Sequence, residues 1–122
     1  MPKPKVLMLE DNKLFQDILK IALGNRFELI QAFTLKEAGA LFAEHKENLS
    51  AVCIDGMIES GEFNTGPFVG LAAKEFRGPI IAISGEPDVN KEMLRLGCTH
   101  AIEGGLKIKL VKILSELFPD TA

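Results

Sequence analysis

The chain has 122 residues, of which 47% are hydrophobic and 25% are charged. These values are typical of a soluble globular protein with its own core, and we expect residues 1–122 to form a single domain. The formal net charge of −3 disfavours direct binding to nucleic acid, because phosphate contacts need a basic surface. No apolar stretch reaches the roughly 18 residues of a membrane span. The sequence shows no export signal, so we expect a cytoplasmic location.

Strand-like and helix-like segments alternate along the sequence. The predicted strands are short apolar runs, and the predicted helices carry apolar residues at the helical repeat. Strands are predicted at Lys5–Leu9, Phe27–Ala32, Ala51–Ile54, Ile80–Ile83 and His100–Ile102. Helices are predicted at Asn12–Leu23, from Thr34 to near Lys46, and at Pro67–Phe76, Pro87–Leu96 and Leu106–Phe118. Five strands that alternate with five helices predict a doubly wound α/β fold with a parallel sheet.

Several predicted helix ends carry residues that satisfy free backbone groups. Asn12 is suited to cap the first helix, and Thr34 followed by Glu37 forms a capping box for the second. Gly97 stands at the C′ position after the fourth helix. The apolar repeat of the first helix comprises Leu14, Phe15, Ile18, Leu19, Ala22 and Leu23.

Acidic residues follow two of the predicted strands. Glu10 and Asp11 end the first apolar run, and Asp55 ends the third. A carboxylate just past a parallel strand lies at its carboxyl end, where open α/β sheets place their ligand sites. If the two strands are neighbours, three carboxylates converge in one crevice, and like charges held so close need a cation. Ligands that are all oxygen favour Mg²⁺ or a similarly hard ion.

Ser84 directly follows the fourth predicted strand and is a further candidate for the same crevice. Its hydroxyl can donate one hydrogen bond to an anionic group there. The alternative is a purely local role, as a turn or cap before Gly85-Glu86-Pro87. Its place right after the apolar run Ile80–Ile83 favours the crevice.

With these residues in this order, the sequence resembles the receiver domain of two-component response regulators along essentially its whole length. The matching features are Glu10-Asp11, Asp55, Ser84 and Gly97-Cys98. The resemblance implies a flavodoxin-like fold, which is a three-layer sandwich around a five-stranded parallel sheet of order 2-1-3-4-5. It also implies a signalling domain rather than an enzyme.

The resemblance further implies a role for each matching residue. Asp55 corresponds to the phosphoacceptor, which takes a phosphoryl group from a histidine kinase, a phosphotransfer protein or a small phosphodonor. Asp11 corresponds to a direct ligand of Mg²⁺ and Glu10 to one that acts through water. Met57 corresponds to the position whose backbone carbonyl binds the metal. Ser84 corresponds to the hydroxyl that bonds the phosphoryl oxygen and relays the change to a downstream protein partner.

The end of the fifth strand departs from the family pattern. The usual lysine falls on Gly104, the proline after it on Gly105, and the switching aromatic on Ala101. Loss of the lysine removes a charge-assisted hydrogen bond of roughly 1.5–3 kcal/mol, so the phosphorylated state should be weaker or shorter-lived. Lys107 or Lys109 could reach back to the site, and the alternative is that both are solvated.

The segment from Gly56 to Gly66 also departs from the pattern. It is longer than is usual in the family and lacks the usual proline. It adds Glu59 and Glu62 near the site. These two acids either support the metal site or are simply solvated loop residues.

Three functions are compatible with these features. The first is a phosphorylated receiver; we expect no effector domain beyond Ala122, so its output should come through protein contacts. The second is a pseudo-receiver, a phosphorylation-independent interaction module that keeps the fold without the switch. The third is a flavin-binding flavodoxin-like protein, which is disfavoured because Glu10 and Asp11 would repel the flavin phosphate. The intact acidic set and Ser84 favour the first function.

Overall fold

The computed structural model describes residues 3–103 and 108–119. In this part of the chain, strands and helices alternate as predicted, with boundaries that are as predicted or differ by one residue. The strands are β1 (Lys5–Leu9), β2 (Glu28–Ala32), β3 (Ala51–Asp55), β4 (Ile80–Ile83) and β5 (His100–Ile102). The helices are α1 (Lys13–Leu23), α2 (Leu35–His45), α3 (Gly66–Glu75), α4 (Pro87–Leu96) and α5 (Ile108–Leu117). The first two residues predicted for the fifth helix, Leu106 and Lys107, lie outside the described residues.

The strands form one parallel sheet with the order β2-β1-β3-β4-β5. This order confirms the predicted flavodoxin-like fold. Strand β1 pairs with β3 so that Leu9 lies opposite Ile54, and β3 pairs with β4 so that Asp55 lies opposite Ile83. Because parallel strands end at a common edge, the residues that follow β1, β3 and β4 meet at one side of the sheet.

The sheet separates two hydrophobic cores, which makes the fold a three-layer sandwich. Side chains of the central strands alternate between the faces, and both faces are buried, as expected for a parallel sheet. Helices α2, α3 and α4 cover one face, where Leu9, Ile54 and Phe42 are buried. Helices α1 and α5 cover the other face, where Met8 and Leu114 are fully buried.

Helix α1 directs only part of its apolar repeat to the core. Its buried positions are Gln16, Leu19 and Leu23, which follow the helical spacing of one narrow stripe. By contrast, Leu14 is 69% exposed and Ile18 is 51% exposed. None of the helices in the described ranges is long and apolar enough to cross a membrane.

The predicted N-caps of α1 and α2 are present. Asn12 Oδ1 accepts a hydrogen bond from Phe15 N at 3.0 Å, and Thr34 Oγ1 accepts one from Glu37 N at 3.1 Å. The Glu37 carboxylate accepts from the N–H of Phe33 at 2.8 Å. The Asn12 cap matters for the site, because it fixes the start of α1 directly after the Glu10-Asp11 pair.

Candidate functional site

The carboxyl ends of β1 and β3 bring three carboxylates together. Glu10, Asp11 and Asp55 each offer one carboxylate oxygen, and these oxygens lie within 4.8 Å of one another. Glu10 is 1% exposed, Asp55 is half-buried and Asp11 is exposed. The donor set is entirely oxygen and carries three like charges, which suits a hard divalent cation such as Mg²⁺. The predicted convergence of these residues is therefore present in the structure.

Each of the three carboxylates is oriented by a main-chain N–H group. The hydrogen bonds run from Asn12 N to Glu10 Oε2 at 3.1 Å, from Met57 N to Asp55 Oδ1 at 3.1 Å, and from Glu59 N to Asp11 Oδ2 at 2.7 Å. An ionised carboxylate has about four lone-pair directions, so one such bond at Asp11 and one at Asp55 leave room for a metal ion. The main chain thus fixes the carboxylates without occupying them fully.

Met57 lies in the same tight turn as Asp55. Its N–H bond to the Asp55 side chain, two residues back, is the hydrogen bond of an Asx turn. Met57 is half-buried. The predicted carbonyl ligand therefore sits in a turn that begins at the predicted phosphoacceptor.

Ser84 lies beside the turn that follows Asp55. A Cβ atom built on Gly56 would be 3.6 Å from the Cβ atom of Ser84, so Ser84 packs against the residue after Asp55. The Ser84 hydroxyl oxygen accepts a hydrogen bond from Glu86 N at 3.1 Å, as the local-turn alternative required. This bond uses an oxygen lone pair and leaves the O–H free to donate. The turn and a phosphoryl contact are therefore compatible.

A buried glutamine, which sequence reasoning missed, fixes the end of β1. Gln16 is fully buried, and its Nε2 lies 3.1, 3.2 and 3.1 Å from the carbonyl oxygens of Met8, Glu10 and Ala32. Its Oε1 accepts a hydrogen bond from Gln31 Nε2 at 3.0 Å. The amide therefore holds β1 against β2 at the point where Glu10 leaves the sheet. A polar residue inside the buried stripe of α1 was the available signal.

A buried asparagine has a similar place at the other side of the sheet. Asn90 of α4 is 3% exposed, and its Nδ2 donates to the carbonyl oxygens of Ser84 and Ile102, both at 3.0 Å. It thus links the ends of β4 and β5. Within residues 3–103 and 108–119, its Oδ1 is the one buried side-chain oxygen or nitrogen without a hydrogen-bond partner.

These two amides should contribute unequally to stability. Gln16→Met removes a fully bonded amide that lies against three main-chain carbonyls, so we expect a loss of about 2–3 kcal/mol in the free energy of unfolding. Asn90→Leu also removes an unsatisfied acceptor, so we expect a loss of only about 1 kcal/mol. Urea unfolding followed by circular dichroism measures both values. Equal losses would show that the unpaired oxygen of Asn90 carries no penalty.

The departures predicted at the end of β5 are described only in part. Gly104, Gly105 and Lys107 lie outside the described residues. Ala101 is half-buried and lines a groove of about 410 Å³ between β5 and α5. Lys109 is exposed and lines the same groove. A small side chain thus stands at the position that the sequence resemblance assigns to the switching aromatic.

Solved structures of response regulators resemble this fold over nearly its whole length. A two-component response regulator from Clostridium difficile is 14% identical, with a TM-score of 0.80 and coverage of 97% of this chain and 98% of its own. The Vibrio cholerae chemotaxis protein CheY4 is 19% identical, with a TM-score of 0.78 and coverage of 95% and 99%. The receiver domain of a Francisella response regulator is 24% identical, with a TM-score of 0.75 and coverage of 98% and 100%. The chain has the fold of a receiver domain.

The chain resembles receiver domains in its three-dimensional structure. Neither a protein-family model nor a curated protein sequence matches this chain significantly. In the receiver fold seen here, the acidic residues at the ends of β1 and β3 and the serine after β4 occupy one edge of the sheet. Most of the receiver-like features of the sequence therefore lie at this edge, whereas Gly97-Cys98 precede β5 at the opposite edge.

Proposed function

We propose that this protein is a two-component receiver that accepts a phosphoryl group on Asp55 in a Mg²⁺-dependent reaction. The observation that carries the proposal is the set of three carboxylate oxygens within 4.8 Å of one another at the carboxyl edge of a receiver fold. Glu10, Asp11, Asp55 and the carbonyl of Met57 would hold the ion. When bound, Mg²⁺ supplies positive charge that neutralises the phosphoryl oxygens.

The chemistry required of the protein is nucleophilic attack by a carboxylate. An oxygen of Asp55 attacks the phosphorus of a phosphohistidine or a small acyl phosphate. The new O–P bond forms as the donor's P–N or P–O bond breaks, and the leaving group keeps the electron pair. The half-buried position of Asp55 leaves it open to a donor. Ser84, beside Gly56, is placed to donate its O–H to a phosphoryl oxygen.

The proposed role is signalling, with proteins on both sides of the phosphoryl transfer. The phosphodonor would be a histidine kinase or a phosphotransfer protein, and the output would be a contact with a downstream protein partner. A cytoplasmic location is part of this proposal. Neither direct nucleic-acid binding nor membrane attachment is needed for it.

Phosphorylation can be tested by incubating the protein with Mg²⁺ and acetyl phosphate, or with a beryllofluoride salt. With acetyl phosphate we expect a phosphoryl adduct by mass spectrometry, and with either reagent we expect changes in the amide NMR spectrum around Asp55. Asp55→Asn should abolish both, because the amide is not a nucleophile. Asp17→Asn is the matched control: Asp17 is an exposed aspartate on α1 that pairs with Lys13 at 3.3 Å. In the Asp17→Asn variant, the adduct on Asp55 should form as it does in the unmodified protein.

The pseudo-receiver is the second candidate, and Ala101 favours it. A half-buried alanine in β5 provides no aromatic side chain to report the state of the site. Absence of both Mg²⁺ binding and any adduct would overturn the phosphorylation proposal in favour of this one. An adduct without amide shifts beyond the site would mean that phosphorylation occurs but does not switch the protein.

A further inference from the structure

The segment between β3 and α3 is a closed loop rather than a free connection. Asn64 Oδ1 accepts a hydrogen bond from Ile58 N at 2.9 Å, and Asn64 Nδ2 donates to Ile58 O at 2.7 Å. The base of the loop is held at Gly56, whose carbonyl accepts from Asn64 N at 3.1 Å and from Thr65 Oγ1 at 3.2 Å. Ile58 is 3% exposed and Thr65 is fully buried. The loop is therefore anchored in the core.

The two Asn64 side-chain bonds fix two consecutive peptide planes. In a trans peptide, the C=O and N–H groups point in opposite directions. The first plane joins the Met57 carbonyl to the Ile58 N–H, so turning that N–H to Asn64 turns the Met57 carbonyl away from Asn64. The second plane joins the Ile58 carbonyl to the Glu59 N–H. Turning that carbonyl to Asn64 turns the Glu59 N–H the opposite way.

The Glu59 N–H, which belongs to the second of these peptide planes, donates a hydrogen bond to the Asp11 carboxylate. The distance to Asp11 Oδ2 is 2.7 Å. Glu59 has a φ of 55°, a left-handed conformation that a non-glycine residue adopts only when its surroundings hold it. The Glu59 carboxylate is not part of the group formed by Glu10, Asp11 and Asp55, so the contact of this residue with the site is made by its backbone N–H.

We propose that Asn64 is a positioning residue for the metal site. Through the two peptide planes on either side of Ile58, it sets the direction of the Met57 carbonyl and the N–H contact to Asp11. Because proline has no N–H, a proline at position 59 could not make this contact. The lengthened loop thus gives this chain a support for Asp11 that depends on Asn64. This inference rests on the proposed function of the same site.

The loop also contains a matched control for this role. Ser60 Oγ accepts a hydrogen bond from Glu62 N at 3.1 Å. This bond lies in the exposed part of the same loop, and it contacts neither Ile58 nor Asp11. Ser60→Ala and Asn64→Ala therefore each remove side-chain hydrogen bonding from the loop, but only Asn64→Ala releases the two peptide planes.

The first measurement is amide hydrogen exchange without metal. Asn64→Ala should speed exchange of the Ile58 and Glu59 amides by about tenfold or more, because both lose the arrangement that holds their hydrogen bonds. Ser60→Ala should leave both rates within about twofold. Unchanged exchange at Glu59 in Asn64→Ala would overturn the inference, whatever the metal does.

The second measurement is the Mg²⁺ dissociation constant by calorimetric titration. We expect Asn64→Ala to raise it about five- to tenfold and Ser60→Ala to leave it within about twofold. Urea unfolding of the metal-free variants separates this effect from a loss of stability. If Asn64→Ala loses stability but binds Mg²⁺ like the unmodified protein, Asn64 is structural only. If the unmodified protein does not bind Mg²⁺, the proposed function fails, and the exchange rates still decide the role of Asn64 in the loop.

Discussion

Asp11→Asn should weaken Mg²⁺ binding by at least about tenfold, because a carboxylate ligand loses its charge while its shape is kept. Without metal, the same variant should be more stable than the unmodified protein by about 0.5–1 kcal/mol, because the Asp11 carboxylate lies beside two like-charged groups and its exposure limits the gain. The new amide oxygen can still accept the Glu59 N–H bond. Added Mg²⁺ should therefore reverse or erase the stability difference, because it stabilises the protein that binds it more tightly.

Urea unfolding with and without Mg²⁺ measures this reversal. The sequence has no Trp or Tyr, so circular dichroism is a better probe than intrinsic fluorescence. Asp17→Asn serves again as the control, because Asp17 is an exposed aspartate outside the cluster. We expect its response to Mg²⁺ to equal that of the unmodified protein. An Asp11→Asn variant that still gains stability from Mg²⁺ as the unmodified protein does would rule out Asp11 as a ligand.

Gly97→Ala should destabilise the protein by about 3–4 kcal/mol, a large part of the stability of a domain of this size. Gly97 ends α4 with a φ of 134°, a conformation that side chains rarely adopt. Hydrogen bonds from Gly97 N to Leu94 O at 3.2 Å and from Cys98 N to Met93 O at 3.0 Å form a Schellman motif there. A Cβ atom on Gly97 would also lie 2.3 Å from the Cβ atom of Ala73.

A double-mutant cycle separates the clash from the backbone strain. Ala73→Gly makes room on α3, so the pair Gly97→Ala and Ala73→Gly should show a favourable coupling of about 1–2 kcal/mol. The strain of the positive φ should remain in the double variant. Purely additive losses would mean that the contact with Ala73 is relieved by a small shift of the helices. The cycle is measured by urea unfolding.

Substitution of a helix glycine that has open space around it should instead raise the stability of the protein. Gly39 lies inside α2, and a Cβ atom built there meets nothing within 4 Å. Gly39→Ala should therefore stabilise the protein by about 0.5–1 kcal/mol through helix propensity. Glycine-to-alanine substitutions in the same chain should thus change stability in opposite directions, depending on the φ of the glycine and on the atoms near its Cβ position.

The elements that position the site could be predicted well from local sequence. Strands β1, β4 and β5 have the predicted bounds, and β3 extends by one residue to include Asp55. Apolar runs and helical repeats are properties of neighbouring residues, so they are readable without the fold. The apolar repeat of α1 was less informative, because it did not show that Leu14 and Ile18 would be exposed.

The polar contacts around the site were not predictable to the same degree. Gln16 and Asn90 are polar residues within the buried stripes of α1 and α4, which is unusual. The helical pattern does not predict which carbonyl groups they contact. Of the two alternatives for Glu59, the exposed position is consistent with a solvated loop acid, yet its backbone N–H contacts a site residue. The loop closure by Asn64 had no sequence signal of its own.

The sequence by itself determined that acidic residues end two strands of a parallel sheet and that a serine ends a third. Strand ends follow from local apolar patterns, and parallel strands share an edge, so Glu10, Asp11 and Asp55 had to approach one another once β1 and β3 paired. Only the tertiary structure decided what holds them there. The bond from Glu59 to Asp11 joins residues 48 positions apart, and it depends on the docking of a closed loop onto the end of β1. Such a contact forms from packing and loop geometry together, which no local pattern encodes.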